Sequence, residues 1–213
     1  MDHLDLDRTH RVYSRNALYY RWLHHLTTLG ADSRWRRTAA RMMPKDSIKI
    51  LDLCTGTGLT AREILHLIPE CTIIGIDITK NMLLKGLKQT KSTQNVFYVA
   101  GDVQFMPFPD NSFDAVTCIC GLGGVRSPEK ALAQVCRVLR PGGIFFNVEM
   151  CTPPGLGKTV FHKLVVEPVI QKIWAFRDIN IESLVKKTGL QILKCDYRME
   201  RGLGSICEIL ACH

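Results

Sequence analysis

The chain has 213 residues, 46% of them hydrophobic and 23% charged, with a formal net charge of +8. That length suits one domain with at most a small appendage, and the apolar fraction supports an ordinary core, which argues against disorder. No apolar run reaches the ~18 residues a membrane helix needs, and the charged N-terminus Met1–Arg8 lacks a signal-like apolar centre. A cytoplasmic location is therefore expected.

Residues 8–43 read as helical, with Tyr13, Leu18, Tyr20, Leu23, Leu26 and Leu29 at three- and four-residue spacing. Gly30-Ala31-Asp32-Ser33 breaks the run, and a second helix from about Ser33 to Met43 stops before Pro44. Residues 1–44 are expected to form a helical cap on a compact unit spanning 45–213. Eight arginines fall between Arg8 and Arg41. They suit a solvated helical face, a membrane surface or an anionic ligand. No nucleic-acid motif accompanies them, so nucleic acid is not an expected partner.

After Pro44 strands and helices alternate. Strands are predicted at Ile48–Leu53, Thr72–Asp77, Val96–Ala100, Phe113–Ile119 and Ile144–Met150. Helices are predicted from Leu59 to Ile68, from about Thr79 onward, and from Pro128 to Leu139. Arg140-Pro141-Gly142-Gly143 reads as a sharp turn and residues 151–178 as irregular or helical. A helix at Asn180–Thr188 precedes strands Leu190–Arg198 and Ser205–Cys212, whose short connection requires an antiparallel pair. The expected fold is α/β and Rossmann-like: a mostly parallel seven-stranded sheet with an antiparallel C-terminal strand, helices on both faces and the N-terminal cap.

The first strand runs into Gly56-Thr57-Gly58-Leu59-Thr60-Ala61, a G-x-G-x-x-A turn at a helix N-terminus. Such a turn lets a ligand approach backbone N–H groups. Asp77, nineteen positions after Gly58, ends the second strand, where a carboxylate can accept from both hydroxyls of a ribose. That much suits NAD equally. Asp52, near the end of the first strand, can face a ligand ammonium, which NAD lacks and S-adenosyl-L-methionine carries. Asp102, just after the third strand, can accept from an adenine amino group.

Taken in order, Leu51-Asp52-Leu53-Cys54-Thr55-Gly56-Thr57-Gly58, Gly75-Ile76-Asp77-Ile78, Gly101-Asp102, Phe113-Asp114-Ala115-Val116 and Leu139-Arg140-Pro141-Gly142-Gly143 resemble the class I S-adenosylmethionine-dependent methyltransferases. Within that superfamily the chain looks most like the ubiquinone/menaquinone C-methyltransferase branch. Phe108-Pro109-Asp110-Asn111-Ser112, Gly121-Leu122, Lys130-Ala131-Leu132, Arg137-Val138 and, near the N-terminus, Tyr20, Gly30 and Trp35-Arg36-Arg37 carry that likeness. The resemblance implies a cofactor site made of Asp52, Cys54, Gly56, Gly58, Asp77, Ile78, Met82, Asp102, Val103 and Cys120. In it Asp77 would hold the ribose, Ile78 and Val103 would flank the adenine, and Asp102 would take its amino group. Two departures stand out: Gly123-Gly124 replaces the branch's Arg-Asn, and the segment after the fifth strand is shorter.

Expected activity is methyl transfer from S-adenosyl-L-methionine to a small, hydrophobic or aromatic acceptor, such as a quinone-like ring, with no metal required. Catalytic candidates on the acceptor side are Glu149, Tyr20 and His24; His25, Cys120, Cys151, His162 and Trp174 are further acceptor-side residues. The alternatives are a cofactor-binding regulatory protein without turnover and an RNA or protein methyltransferase; the latter lacks the Asn-Pro-Pro-Tyr-type tetrad, since the chain reads Cys118-Ile119-Cys120-Gly121 there. Nine cysteines with no Cys-x-x-Cys read as reduced, structural thiols, with thiol-dependent metalloid methylation as a minor alternative. Gly155-Leu156-Gly157-Lys158-Thr159 imitates a P-loop but has Thr152 where Gly is required. A homodimer is compatible with the chain.

Overall fold

The computed structural model describes residues 6–46, 48–90, 95–151, 174–200 and 204–213. The P-loop-like stretch, His162 and most of the segment after the fifth strand lie outside the described residues. Three helices, not two, precede the sheet: α1 (Leu6–Asn16), α2 (Tyr20–Thr27) and α3 (Ala31–Met42). The extra break falls at Ala17-Leu18-Tyr19, where Lys85 Nζ donates to the carbonyls of Ala17 (2.8 Å) and Leu18. A tertiary contact thus ends α1 where no proline or glycine marks a stop.

Then follow β1 (Lys49–Leu53), α4 (Leu59–Leu67), β2 (Thr72–Asp77), α5 (Lys80–Gln89), β3 (Val96–Ala100), β4 (Phe113–Ile119), a 3-10 turn (Leu122–Gly124) and α6 (Pro128–Val138). The C-terminal part holds β5 (Leu139–Met150), α7 (Ile181–Lys186), β6 (Gln191–Glu200) and β7 (Gly204–Cys212). Helix α6 shows why its sequence stops and starts where it does. Ser127 caps it by accepting from Lys130 N, Pro128 fills its first turn, and Ala131, Leu132, Val135 and Val138 form its buried stripe.

The seven strands lie in the order β3-β2-β1-β4-β5-β7-β6. Strands β1 to β5 pair in parallel, while β7 runs antiparallel to both β5 and β6. The antiparallel C-terminal strand is as expected, but it sits second from the edge, with β6 outside it. Strand β5 begins earlier than predicted. Leu139 pairs with Phe113 across a bulge, so the Arg140–Gly143 turn is folded into the strand's start.

Core residues fill both faces. On one side Leu51, Phe113, Leu132, Val135 and Phe145 pack together; on the other, Trp35, Ala39, Ile50, Ile64 and Ile73 do. Trp35 is fully buried, so α3 is part of the core as well as a cover for the sheet. Two sequence motifs prove architectural. Asp114 Oδ2 accepts from Ile48 N (2.9 Å) and Lys49 N (2.7 Å), and Asp114 pairs with Arg140, tying the start of β1 to β4 and β5. Arg137 donates to Phe108 O and Asp110 Oδ1, both at 2.7 Å, and fastens the loop before β4.

Candidate functional site

The chain runs from β1 outward through β2 to β3, then crosses back to place β4 on the other side of β1. Ligands of open parallel sheets bind at such a reversal, above the carboxyl ends of the strands. Here β1 and β4 both leave the sheet in the left-handed region: Cys54 has φ 50° and Cys120 has φ 53°. For a residue with a side chain that costs about 1–2 kcal/mol each. Between these two exits lies a cleft.

Most of the residues expected to meet a cofactor line this cleft: Cys54, Gly56, Asp77, Ile78, Met82, Asp102, Val103 and Cys120. Gly56 has φ 56°, and a Cβ there would stand 3.1 Å from Met82 Cε. Asp77 is oriented by its neighbours: Oδ2 accepts from Gly56 N (2.9 Å) and Oδ1 from Thr79 N (2.8 Å). Burial raises the Asp77 pKa, and those two N–H groups oppose the rise. Asp102 is clamped by Gln104, whose N lies 2.9 Å from Oδ1 and whose Nε2 reaches both oxygens; Gln104 Oε1 then accepts from Ser127 N. Each carboxylate keeps lone pairs for a ligand donor.

Two expected residues stand behind the cleft. Asp52 is 1% exposed and accepts from Thr55 Oγ1 at 2.6 Å; burial pushes its carboxyl up to about 7. Gly58 caps α4 with φ 72°, and a Cβ there would lie 2.0 Å from Tyr98 Oη. It is required by packing against Tyr98. Neither residue lines the cleft.

Among the described acceptor-side candidates only Tyr20 and Cys120 are on the lining. His24 stacks on Tyr20 (5.3 Å), stands edge-on to Trp174 (5.3 Å) and has Nδ1 3.5 Å from Asp32 Oδ2. Burial lowers its pKa. Glu149 is fully buried below the cleft, where it accepts from Leu122 N (3.0 Å) and so holds the 3-10 turn; burial pushes its carboxyl up to about 8. Cys151 is buried in the core and His25 points to the outer side of α2.

The cleft has walls that the motif-based set omits: Thr9, Tyr13 and Gln104, and Gly124 with Val125 from the 3-10 turn. The density of aromatics before Pro44 was the available signal for Tyr13. Tyr13 and Tyr20 face each other at 6.3 Å, and Tyr20 meets Trp174 edge-on at 5.8 Å. Burial raises both phenol pKa values; the guanidinium of Arg36 pulls Tyr20 back down. The structure also accounts for Gly123. A Cβ there would lie 2.3 Å from the Phe176 ring and 2.7 Å from Arg177 O, so no polar side chain fits. At Gly124 the nearest atom to an added Cβ is Thr9 Cγ2 at 4.0 Å, which leaves the cleft open.

Chemically, the described lining holds two carboxylates and no lysine or arginine. A diphosphate-bearing dinucleotide would meet no cation there, whereas a sulfonium with a ribose and an adenine meets suitable acceptors. The residues present therefore fit S-adenosylmethionine. Among the described residues, no three His, Cys, Asp or Glu side chains are grouped so as to hold a metal ion.

Known proteins point the same way. The model of the ubiE/COQ5 methyltransferase family matches residues 1–189. A demethylmenaquinone methyltransferase of Thermus thermophilus is 37% identical over 145 residues, 67% of this chain and 66% of that protein. One of Staphylococcus aureus is 35% identical over 188 residues, 85% of this chain and 78% of that protein. Among solved structures, phosphoethanolamine N-methyltransferase 2 of Haemonchus contortus, in complex with S-adenosylhomocysteine, superposes with a TM-score of 0.75 at 18% identity, covering 93% of this chain and 57% of that one. That likeness speaks to the fold, a Rossmann-like methyltransferase fold. The order of strands, the acidic cleft above β1 and β4 and the family match over most of the sequence lead to one assignment: the chain belongs to the ubiE/COQ5 methyltransferase family.

Proposed function

We propose that this protein transfers a methyl group from S-adenosylmethionine to a ring carbon of a hydrophobic, quinone-like acceptor. One observation carries the reading: a single cleft joins a wall bearing Asp77 and Asp102, with no lysine or arginine among its described residues, to an aromatic wall bearing Tyr13 and Tyr20. The relatives' names, demethylmenaquinone methyltransferases, support the acceptor class.

When bound, the cofactor supplies a methyl group made electrophilic by the adjacent sulfonium. The chain's part is placement and exclusion of water. Asp77 and Asp102 accept from the hydroxyl and amino groups of the nucleoside portion. Gly56 leaves room for its approach, and Ile78 and Val103 supply apolar cover. Tyr13 and Tyr20, with Ile119 and Val125, offer an apolar, π-faced slot that fixes a flat ring against the cofactor side. Tyr20, on the lining, is kept a neutral phenol by the burial that raises its pKa and serves as a hydrogen-bond donor to an acceptor oxygen. Glu149 and His24 act from behind the wall, the first on the 3-10 turn and the second on the Tyr20 ring.

The test is to incubate the protein with S-adenosylmethionine and demethylated prenyl naphthoquinols, with benzoquinols and simple catechols for comparison, and to weigh the products. A product heavier by one methylene, formed with the prenylated ring and not with catechol, is expected. Saturable cofactor binding with no methylated product from any ring would instead identify a binding protein without turnover.

A further inference from the structure

Helix α2 has two faces with opposite roles. Its inner side carries Tyr20 and the buried His24 against the cleft wall. Its outer side carries Trp22 and Leu26, one helical turn apart, and Leu18 and Leu29 stand in the turns that precede and follow the helix. These four are 73%, 75%, 70% and 67% exposed, and Tyr19 beside them is 68% exposed. A protein surface tolerates single exposed leucines; five large exposed apolar side chains along one short helix and its two flanking turns mark a contact surface.

The flanks of the stripe are basic. On one side a cleft that includes Trp22 is lined by Arg21, His25, Arg62 and His66. On the other, a cleft that includes Leu29 and the 71% exposed Met199 is lined by Arg34 and by Arg198, the latter paired with Glu208. Cations press on one another here: Arg62 has its pKa lowered first by burial and then by Arg21. Glu63 edges the first cleft, and Asp32 is engaged with Arg36, His25 and Thr28.

We propose that the outer face of α2 seats the protein on an anionic phospholipid bilayer, with Trp22 and Leu26 in the headgroup–acyl boundary and the flanking arginines on lipid phosphates. Three observations select this occupant. An apolar stripe with a tryptophan and a tyrosine, rimmed by arginine, is the composition of an interfacial helix. The positive rim complements an anionic leaflet, and in a two-fold dimer through this face it would meet itself, since such an interface sets the same patch on both subunits. Finally, the inner side of the same helix forms the cleft wall, so a docked protein would hold its aromatic wall one helix diameter from the lipid. This deepens the reading of a hydrophobic acceptor and takes its purpose from it: the acceptor would enter from the bilayer without crossing water.

The experiment is co-sedimentation of the full chain with vesicles of phosphatidylcholine alone or mixed with phosphatidylglycerol, at low and high salt, for wild type and Trp22→Ser/Leu26→Ser. Cofactor calorimetry on both proteins controls for folding, and transfer to a detergent-solubilised naphthoquinol is measured separately. Wild type should sediment with the anionic vesicles only, less so in high salt, and the double variant should bind them at least ~10-fold more weakly with unchanged cofactor affinity. Wild type left in the supernatant with anionic vesicles would overturn the proposal, as would a variant that sediments equally well. So would a wild-type dimer that the double variant turns into a monomer, because that assigns the stripe to a second copy. Vesicle binding without transfer to any quinol would remove the acceptor reading and leave the docking surface standing.

Discussion

Replacing Asp77 by asparagine isolates the electrostatic part of the cofactor site. In the wild type, backbone N–H groups of Gly56 and Thr79 end on the two carboxylate oxygens at 2.9 and 2.8 Å. Asparagine keeps one acceptor and turns an NH2 group toward the other N–H. A hydrogen bond to a charged group contributes about 1.5–3 kcal/mol, so losing one to the ligand weakens cofactor binding by that amount, or roughly 10–10²-fold, while the bond lost at the turn is lost in free and bound protein alike. Stability should change far less. Burial already penalises the Asp77 charge in the empty protein, and the neutral side chain removes that penalty while the turn loses one bond. The assay is calorimetric titration of S-adenosylmethionine into wild type and Asp77→Asn, with melting curves of both proteins alone. Affinity within about threefold of wild type, with an unchanged melting curve, would refute the reasoning, because ~0.7 kcal/mol is too little for one charge-assisted bond.

Other consequences follow from the same geometry. Gly56→Val should abolish cofactor binding in a folded protein, since it forces a branched side chain at φ 56° against Met82 and into the cleft, whereas Cys54→Ala should largely spare it; calorimetry on the two variants separates these outcomes. Trp35→Ala should cost about 3–5 kcal/mol in denaturant unfolding, because the side chain is fully buried between α3 and the sheet; a cost near 1 kcal/mol would mean that the N-terminal helices are only a detachable cap. The cofactor-free protein should lose stability from mildly acid to mildly alkaline pH. Asp52 goes from an ordinary 3.8 up to about 7 and Glu149 from 4.5 up to about 8, so both are protonated in the folded state where they would be ionised unfolded. Their contribution is complete below the unfolded values and is lost as pH rises through about 7 and 8, up to ~4 kcal/mol for each carboxyl. Melting temperatures across that range should fall, and Asp52→Asn with Glu149→Gln should flatten the slope; a rise in stability over the window would contradict both assignments.

The strand–helix alternation was legible because each parallel strand is buried on both faces and reads as an apolar run; β2, β3 and β4 fall where the pattern places them. The break after Asn16 was not, since it rests on Lys85, sixty-nine residues away from Asn16 in the chain, rather than on a local stop signal. Nor was the place of β7 between β5 and β6. A short connection fixes the sense of a strand pair but not which member lies at the edge. At the site, Asp77 and Asp102 could be found because motif and strand end coincide. Asp52 could be found as an acid but not as a buried one, because the hydroxyl that occupies it, Thr55, comes from the turn's own fold. Thr9 and Tyr13 join the cleft from α1, far from the motifs in sequence, and only tertiary structure brings them there.

The most direct test of the central claim is a crystal structure with S-adenosylhomocysteine. The account predicts the nucleoside on Asp77 and Asp102 beside Gly56, with the sulfur turned toward Tyr13 and Tyr20. Ligand outside this cleft, or within it with the sulfur facing away from the aromatic wall, would contradict it.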